Sequence, residues 1–193
     1  MSVVHVADFE SGNLSGWKEQ QFQGKTNYMI VRHDGRTALI ATSSASASGL
    51  YKDIRIDLEK TPYLNWSWKA ENTLTGLNEF TKAGDDYCAR VYVIFKHTFF
   101  WMTRSVTYVW SSNQPVETSW PNAYTGNAMT VAVQSGNTNV GRWVSQKRHV
   151  AADYRRLFGK RVRVADSIAL MTDTDNSGQS ATAYYGNIFF SSE

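Results

Sequence analysis

Cysteine, proline and long apolar runs are scarce in this sequence, and each scarcity excludes a class of protein. The one cysteine, Cys88, excludes an internal disulfide framework, and its place in an apolar segment indicates a buried, inert thiol. Three prolines exclude a proline-rich linker or stalk. No segment approaches the roughly 20 apolar residues of a transmembrane helix, so we expect no membrane-spanning segment.

Charge is sparse as well. Lys and Arg number 20 and Asp and Glu number 17, which gives a net charge of +3, and charged residues make up only 19% of the 193 positions. So mild a balance does not indicate a nucleic-acid partner. Apolar residues at 42% can form a sizeable core, and the length fits one domain, residues 1–193. Aromatic residues reach 13%, with 7 Trp and 10 Tyr, which is more than such a core needs.

The hydropathy pattern has a dominant period of two, which is typical of β-strands with one dry face. In residues 63–70, for example, Trp66 lies on the apolar face and Lys69 on the polar one. Ten further segments are predicted as strands, at residues 3–9, 28–33, 38–42, 49–57, 87–96, 105–111, 129–134, 142–149, 162–172 and 184–191. Many short strands joined by polar turns predict an all-β, single-domain β-sandwich of the jelly-roll type.

One segment has helical spacing. Val150, Tyr154, Leu157 and Phe158 recur on one helical face, and Gly159 is a natural C-terminal stop. The pattern therefore predicts one short helix at residues 150–158, which must be stabilised by packing on a sheet.

Two resemblances support this fold class. Residues 7–17 (ADFESGNLSGW) resemble the start of galactose-binding-like and carbohydrate-binding jelly rolls, and residues 185–190 would be the closing strand of the same sheet. Five segments in order resemble a bacterial family known as domain of unknown function 3047: residues 64–69 (LNWSWK), 84–93 (GDDYCARVYV), 108–112 (YVWSS), 153–159 (DYRRLFG) and 171–178 (MTDTDNSG). That resemblance implies a periplasmic or secreted bacterial β-sandwich whose signal peptide is not part of this sequence, and it implies no reaction.

Residues 173–178 repeat the first half of a calcium-binding loop. Asp173, Asp175 and Ser177 supply oxygen at positions one, three and five, and Gly178 stands at position six. The twelfth position is Tyr184 and not the usual Glu. The missing ligands would come from other acidic residues, namely Asp8, Glu10, Asp85 or Asp86. The pattern predicts either a structural Ca²⁺ site or a polar hairpin turn with local hydrogen bonds.

Asp85 and Asp86 stand side by side before an apolar segment. Adjacent side chains point to opposite sides of an extended chain, so at most one of them faces a given cleft. Three roles remain open: an ion pair with Arg90 or Lys69, binding of sugar hydroxyls, or general acid or base catalysis. They are the candidate catalytic residues.

A glycan-binding face is the third candidate. If the strands at residues 63–70 and 87–96 are neighbours, Lys69, Arg90 and Tyr92 share one polar face. Aromatic rings stack on sugars, and basic groups bind hydroxyls or a uronate carboxylate. The alternative is an ordinary solvated face, with the loop aromatics covering the core. The candidate ligand-binding residues are Lys69, Arg90, Tyr92, Trp101, Trp120 and Tyr184.

We expect a secreted, carbohydrate-binding-like domain that holds a neutral or anionic polysaccharide. Eight Lys and Arg residues between positions 142 and 163 would attract an anionic polysaccharide or lipid headgroups, or they form a solvated rim. A glycoside hydrolase or lyase on the same scaffold and a structural envelope protein are the alternatives, so the sequence does not decide whether the protein is an enzyme.

Overall fold

Two β-sheets pack face to face in the computed structural model, which describes residues 2–193. In chain order the strands are β1 (Val3–Ala7), β2 (Lys18–Gln23), β3 (Asn27–His33), β4 (Arg36–Ser44), β5 (Ala47–Asp57), β6 (Tyr63–Ala70), β7 (Tyr87–Phe95), β8 (Arg104–Ser111), β9 (Ser119–Asn122), β10 (Thr125–Ser135), β11 (Val144–His149), β12 (Val164–Asp173) and β13 (Ser180–Ser191). The α-helix is α1 (Val150–Phe158), and short 3₁₀ turns occupy Phe9–Ser11, Lys82–Gly84 and Phe100–Met102.

The strands are interleaved between the sheets. The six-stranded sheet has the order β11-β6-β13-β4-β3, with β1 also paired to β13, and the seven-stranded sheet has the order β2-β5-β12-β7-β8-β10-β9. Within residues 2–193 the strand pairs are antiparallel except for the parallel pair of β8 and β10. This arrangement confirms the predicted all-β sandwich.

The apolar faces of the two sheets meet in an aromatic core. Trp66 of β6 lies 5.5 Å from Tyr108 of β8, measured between ring centroids, and Trp68 lies 6.1 Å from Trp110. Trp68 and Trp110 are completely buried. The alternating pattern of residues 63–70 therefore predicted the dry face of β6 correctly, and Cys88 is also buried, as predicted.

Helix α1 begins and ends where the sequence predicts. The His149 ring accepts a hydrogen bond from the Ala152 N–H at 3.2 Å, and Gly159 adopts a left-handed conformation with φ of 67°. Tyr154 packs on Phe95 with ring centroids 4.6 Å apart, which fixes the helix against the end of β7. None of the helices in residues 2–193 has the length and apolarity that a membrane crossing requires.

Candidate functional site

The outer face of the seven-stranded sheet carries a groove made of two cavities that share Tyr92. One cavity, of about 400 Å³, has Arg90 and Asp173 in its wall and reaches the exposed rings of Phe22 and Tyr124. The other, of about 340 Å³, extends from Tyr92 to the exposed ring of Trp101. We refer to these two cavities together as the groove.

Small side chains beside Tyr92 make this face concave. Tyr92 on β7 pairs with Ala169 on β12 and with Thr107 on β8. Directly paired residues point to the same face of a sheet, so the Tyr92 ring stands between two short neighbours. The ring is partly buried and remains accessible from the groove.

Arg90 is held rigidly below the Tyr92 ring. Its guanidinium lies 5.5 Å from the centroid of Tyr92 and 4.9 Å from that of Tyr87, and it donates hydrogen bonds to Asp173 and, at 3.5 Å, to Asp85. Burial lowers the pKa of Arg90, but the negative charge of Asp173 and the groups at Tyr92 and Asp85 outweigh burial and raise it well above its usual value. Arg90 is therefore a fixed cation whose two terminal nitrogens each bond to a carboxylate of the protein.

Three carboxylates meet at the end of the groove next to Arg90. One oxygen from each of Asp86, Asp173 and Asp175 lies within 4.8 Å of the other two. Burial raises the pKa of Asp173 well above its usual value; Arg90 lowers it, but the charges of Asp85 and Asp86 add to the rise. Burial and then the negative charge of Asp86 also raise the pKa of Asp175.

The predicted loop at residues 173–178 is arranged around Asp86. The Asp86 carboxylate accepts the backbone N–H groups of Asn176 at 3.2 Å and Ser177 at 2.6 Å. Ser177 thus contributes a backbone donor, and its hydroxyl accepts a hydrogen bond from the Gln179 N–H at 3.3 Å. The structure brings Asp173 and Asp175 together with Asp86, one of the acidic residues that the sequence offers for the missing ligands.

Asp85 lies on the other side of this cluster. It is buried, and the Asn122 side-chain amide donates to both of its carboxylate oxygens at 3.3 Å. Together with the contact to Arg90, this is the ion-paired role among the three alternatives that the sequence left open.

Lys69 and Tyr184 lie on the six-stranded sheet and are not part of the groove. The expectation that the strands at residues 63–70 and 87–96 are neighbours is wrong, because β6 and β7 belong to different sheets. The Lys69 ammonium is buried and contacts Asp34 at 2.6 Å and Glu71 at 3.1 Å. It lies 5.5 Å from the Tyr184 ring centroid. The predicted ligand residues therefore divide between two opposite faces.

The two loop tryptophans have opposite environments. Trp101 is 62% exposed and stacks on Phe99 with ring centroids 5.0 Å apart. Its carbonyl accepts the Asn127 side-chain amide at 2.8 Å, which ties its loop to β10. Trp120 is only 5% exposed and packs with Tyr87 in a small second core. The prediction of Trp120 as a ligand platform is wrong, because its ring faces are covered by protein.

Sequence reasoning missed two aromatic residues of the groove. Phe22 lies in the Gln-rich strand β2, where every residue is exposed, and Tyr124 lies in the turn between β9 and β10. The Tyr124 hydroxyl accepts the Asn176 side-chain amide at 3.3 Å. A lone aromatic residue within a polar run was the available signal for Phe22.

A larger cavity, of about 760 Å³, lies beside α1. Several of the basic residues between positions 142 and 163 line its wall. Arg163 in its wall pairs with Asp57 at 3.4 Å and with Glu59 at 3.2 Å, and Arg156 pairs with Asp153 at 3.3 Å. Among the described residues that line it there is no Trp, Tyr or Phe. Paired, exposed arginines of this kind fit the solvated rim better than a sugar site.

Residues 15–189 match the family described as "Protein of unknown function (DUF3047)". The chain belongs to this family. No curated protein sequence matches it at a significant level.

Several solved structures are similar to the chain at low sequence identity. The family 30 carbohydrate-binding module of the cellulosomal cellulase Cel9D-Cel44B of Clostridium thermocellum aligns with 100% of this chain and 99% of its own, at 12% identity and a TM-score of 0.55. A module solved with β-1,4-galactotriose, TmCBM61, aligns with 96% of this chain and 94% of its own, at 10% identity and a TM-score of 0.44. The active domain of bacteriophage CBA120 tailspike protein 4 aligns with 94% of this chain, at 12% identity and a TM-score of 0.46, and the chain spans 20% of that protein. The likeness to the family 30 module confirms the β-sandwich fold of this DUF3047 protein.

Proposed function

We propose that this DUF3047 protein binds a glycan in the groove on the outer face of its seven-stranded sheet. The observation that carries the proposal is the series of accessible rings along that groove, with Tyr92 in the middle, Trp101 at one end and Tyr124 at the other. Aromatic faces stack on the apolar faces of pyranose rings, and exposed aromatic groups in a concave site are characteristic of ligand binding. The shared fold with a carbohydrate-binding module supports this function.

Polar groups between the rings are suited to sugar hydroxyls. Asn127 and Asn176 line the two cavities beside Trp101 and Tyr124, respectively. Three carboxylates, those of Asp85, Asp173 and Asp175, also line the Arg90 side of the groove. Arg90 is already paired with two of these acids. The net negative charge of this side of the groove therefore favours a neutral glycan over an anionic one.

The arrangement of the acidic residues fits glycan binding better than glycan cleavage. Glycosidases place two carboxyl groups on either side of the scissile bond, about 5–5.5 Å apart in retaining enzymes and about 6.5–9.5 Å apart in inverting ones. Here Asp86, Asp173 and Asp175 form one cluster at one end of the groove, with one oxygen of each within 4.8 Å of the other two, and so do not face each other across it. Asp85 and Asp86 are committed to hydrogen bonds within the protein, so neither is free to act on a sugar.

We propose that the protein acts in the periplasm or outside the cell, where it would meet polysaccharides.

Affinity electrophoresis against neutral and acidic polysaccharides, with a parallel assay for newly released reducing ends, tests this function. We expect retardation by a neutral polysaccharide without release of sugar ends, and loss of that retardation in Tyr92→Ala. Phe189→Ala is the matched control, because Phe189 is a partly buried aromatic residue on the six-stranded sheet. Release of sugar ends would favour the enzyme, and retardation lost only in Phe189→Ala would place the site on the other sheet. Retardation by no polysaccharide would contradict glycan binding.

A further inference from the structure

Asp86, Asp173 and Asp175 come together from three separate places in the chain. Asp86 directly precedes β7, Asp173 ends β12, and Asp175 lies in the loop that follows β12. The antiparallel pairing of β7 and β12 places Asp173 opposite Tyr87, and so beside Asp86. This juxtaposition gives three carboxylate oxygens within 4.8 Å of one another.

A buried carboxylate oxygen in this cluster has no partner within the protein. Asp173 is 1% exposed, and its Oδ2 accepts a hydrogen bond from Arg90. Its Oδ1 is buried, and no group in residues 2–193 donates a hydrogen bond to it. Buried carboxylate oxygens nearly always meet a donor or a cation, so this unpartnered oxygen indicates a missing ligand.

The negative charge of the other two members is also uncompensated. Within the described chain, residues 2–193, the ion pairs of Arg90 go to Asp85 and Asp173, and no Lys, Arg or His pairs with Asp86 or Asp175. Two backbone N–H groups orient the Asp86 carboxylate, which keeps it in place without neutralising it. Like charges this close together repel one another unless a cation or a proton lies between them.

We propose that Asp86, Asp173 and Asp175 bind one Ca²⁺ ion. All three donors are hard carboxylate oxygens, which suit Ca²⁺ or Mg²⁺ and not the softer metals that prefer imidazole or thiolate. Ca²⁺ takes six to eight oxygens at flexible angles, whereas Mg²⁺ demands a strict octahedron. Asp173 and Asp175 line the 400 Å³ cavity, so water can supply the remaining ligands. The site stands on these contacts alone and does not depend on the proposed glycan binding.

Isothermal titration calorimetry with CaCl₂, after EDTA treatment of the full chain, tests the site. We expect one Ca²⁺ per chain, a weaker response to MgCl₂, and a melting temperature several degrees higher in CaCl₂ than in EDTA. Asp175→Asn should weaken calcium binding at least tenfold. Its side chain is partly exposed and has no ion pair within residues 2–193, so the variant should fold.

Asp166→Asn is the matched control. Asp166 lies on β12, is partly buried, and accepts the Lys96 backbone N–H at 2.9 Å, so the substitution removes the same charge outside the cluster. Calcium binding should be unchanged in this variant. The proposal is overturned if the wild-type protein shows neither a binding heat nor a melting shift with CaCl₂, or if Asp175→Asn binds calcium as well as Asp166→Asn does. Because polysaccharide is absent from every arm, failure here leaves the glycan test intact.

Discussion

Arg90 and Asp173 form an ion pair in which both side chains are almost completely removed from solvent, with 6% and 1% of their surfaces exposed. The pair joins β7 to β12 beneath the groove. Arg90, which the sequence predicts as a sugar ligand, therefore holds β7 and β12 together at the floor of the groove. It also makes the pair a sensitive point for stability, because removal of one partner leaves the other charge buried.

Arg90→Ala should destabilise the fold by about 3–5 kcal/mol, the usual effect of leaving a buried charge uncompensated. The measurement is the urea midpoint of unfolding, taken in EDTA so that bound metal does not contribute. Arg163→Ala is the comparison, because Arg163 forms its pairs while 65% exposed and should change the midpoint little. An Arg90→Ala midpoint equal to that of the wild-type protein would show that the pair does not stabilise the fold.

Trp101 and Trp120 give a second contrast, between a ring in the groove and a ring in the core. Trp101→Ala should weaken glycan retardation and leave the unfolding free energy nearly unchanged, because its ring is 62% exposed. Trp120→Ala should lower that free energy by about 3–5 kcal/mol, because its buried ring would leave a cavity. Affinity electrophoresis and denaturant titration of both variants check the two effects. Equal stability losses in the two variants would contradict this assignment.

Acid stability should depend on Asp53. Hydrogen bonds from Lys96 and Ser167, both at 2.7 Å, lower the pKa of Asp53 to about 2. A carboxyl group with a lowered folded-state pKa contributes stability above its unfolded pKa, and that contribution is lost as pH falls from about 4 towards 2. The effect is modest, since the side chain is 45% exposed and screened by solvent. We expect the difference in melting temperature between the wild type and Asp53→Asn to shrink from pH 6 to pH 2. A difference that stays constant with pH would contradict this role.

The sequence predicts the faces of strands better than their neighbours. The alternation in residues 63–70 correctly places Trp66 and Trp68 in the core, since side chains of a strand point to its two faces in turn. This alternation carries no information about which strand pairs with β6. In the structure β6 and β7 belong to different sheets. The fold therefore separates Lys69 from Arg90, and two of the six predicted ligand residues, Lys69 and Tyr184, lie on the other sheet.

Strands without a dry face were missed for a related reason. All six residues of β2 are exposed, so its sequence shows no apolar alternation. Strand β9 contains Pro121, which is tolerated at a sheet edge. The Ser-rich run at residues 42–49, which suggested a loop or an edge strand, contributes buried residues to β4 and β5. Ser43 is stabilised there by a 2.8 Å hydrogen bond with Thr174, a long-range contact that no local pattern predicts.

Gly84 directly precedes Asp85 and Asp86 and is not itself a member of the acid cluster. A substitution at Gly84 therefore tests whether the backbone before these residues positions Asp86. A Cβ atom at Gly84 would lie 2.1 Å from the backbone oxygen of Asn78, which the rigid turn cannot accommodate without shifting. Gly84→Ala should therefore cost about 1–3 kcal/mol, as overpacking does, and weaken calcium binding by displacing Asp86.

Gly126→Ala is the control for this substitution, because a Cβ atom there meets no other atom within 4 Å. Gly126 also has no positive φ, so alanine fits its backbone. Denaturant unfolding and calcium titration of both variants separate the two positions. If Gly84→Ala unfolds at the same midpoint as Gly126→Ala and binds calcium equally well, the close approach of Asn78 does not hold Asp85 and Asp86 in place. A loss confined to Gly84→Ala would show that the turn from Asn78 to Gly84 positions the cluster at the end of the groove.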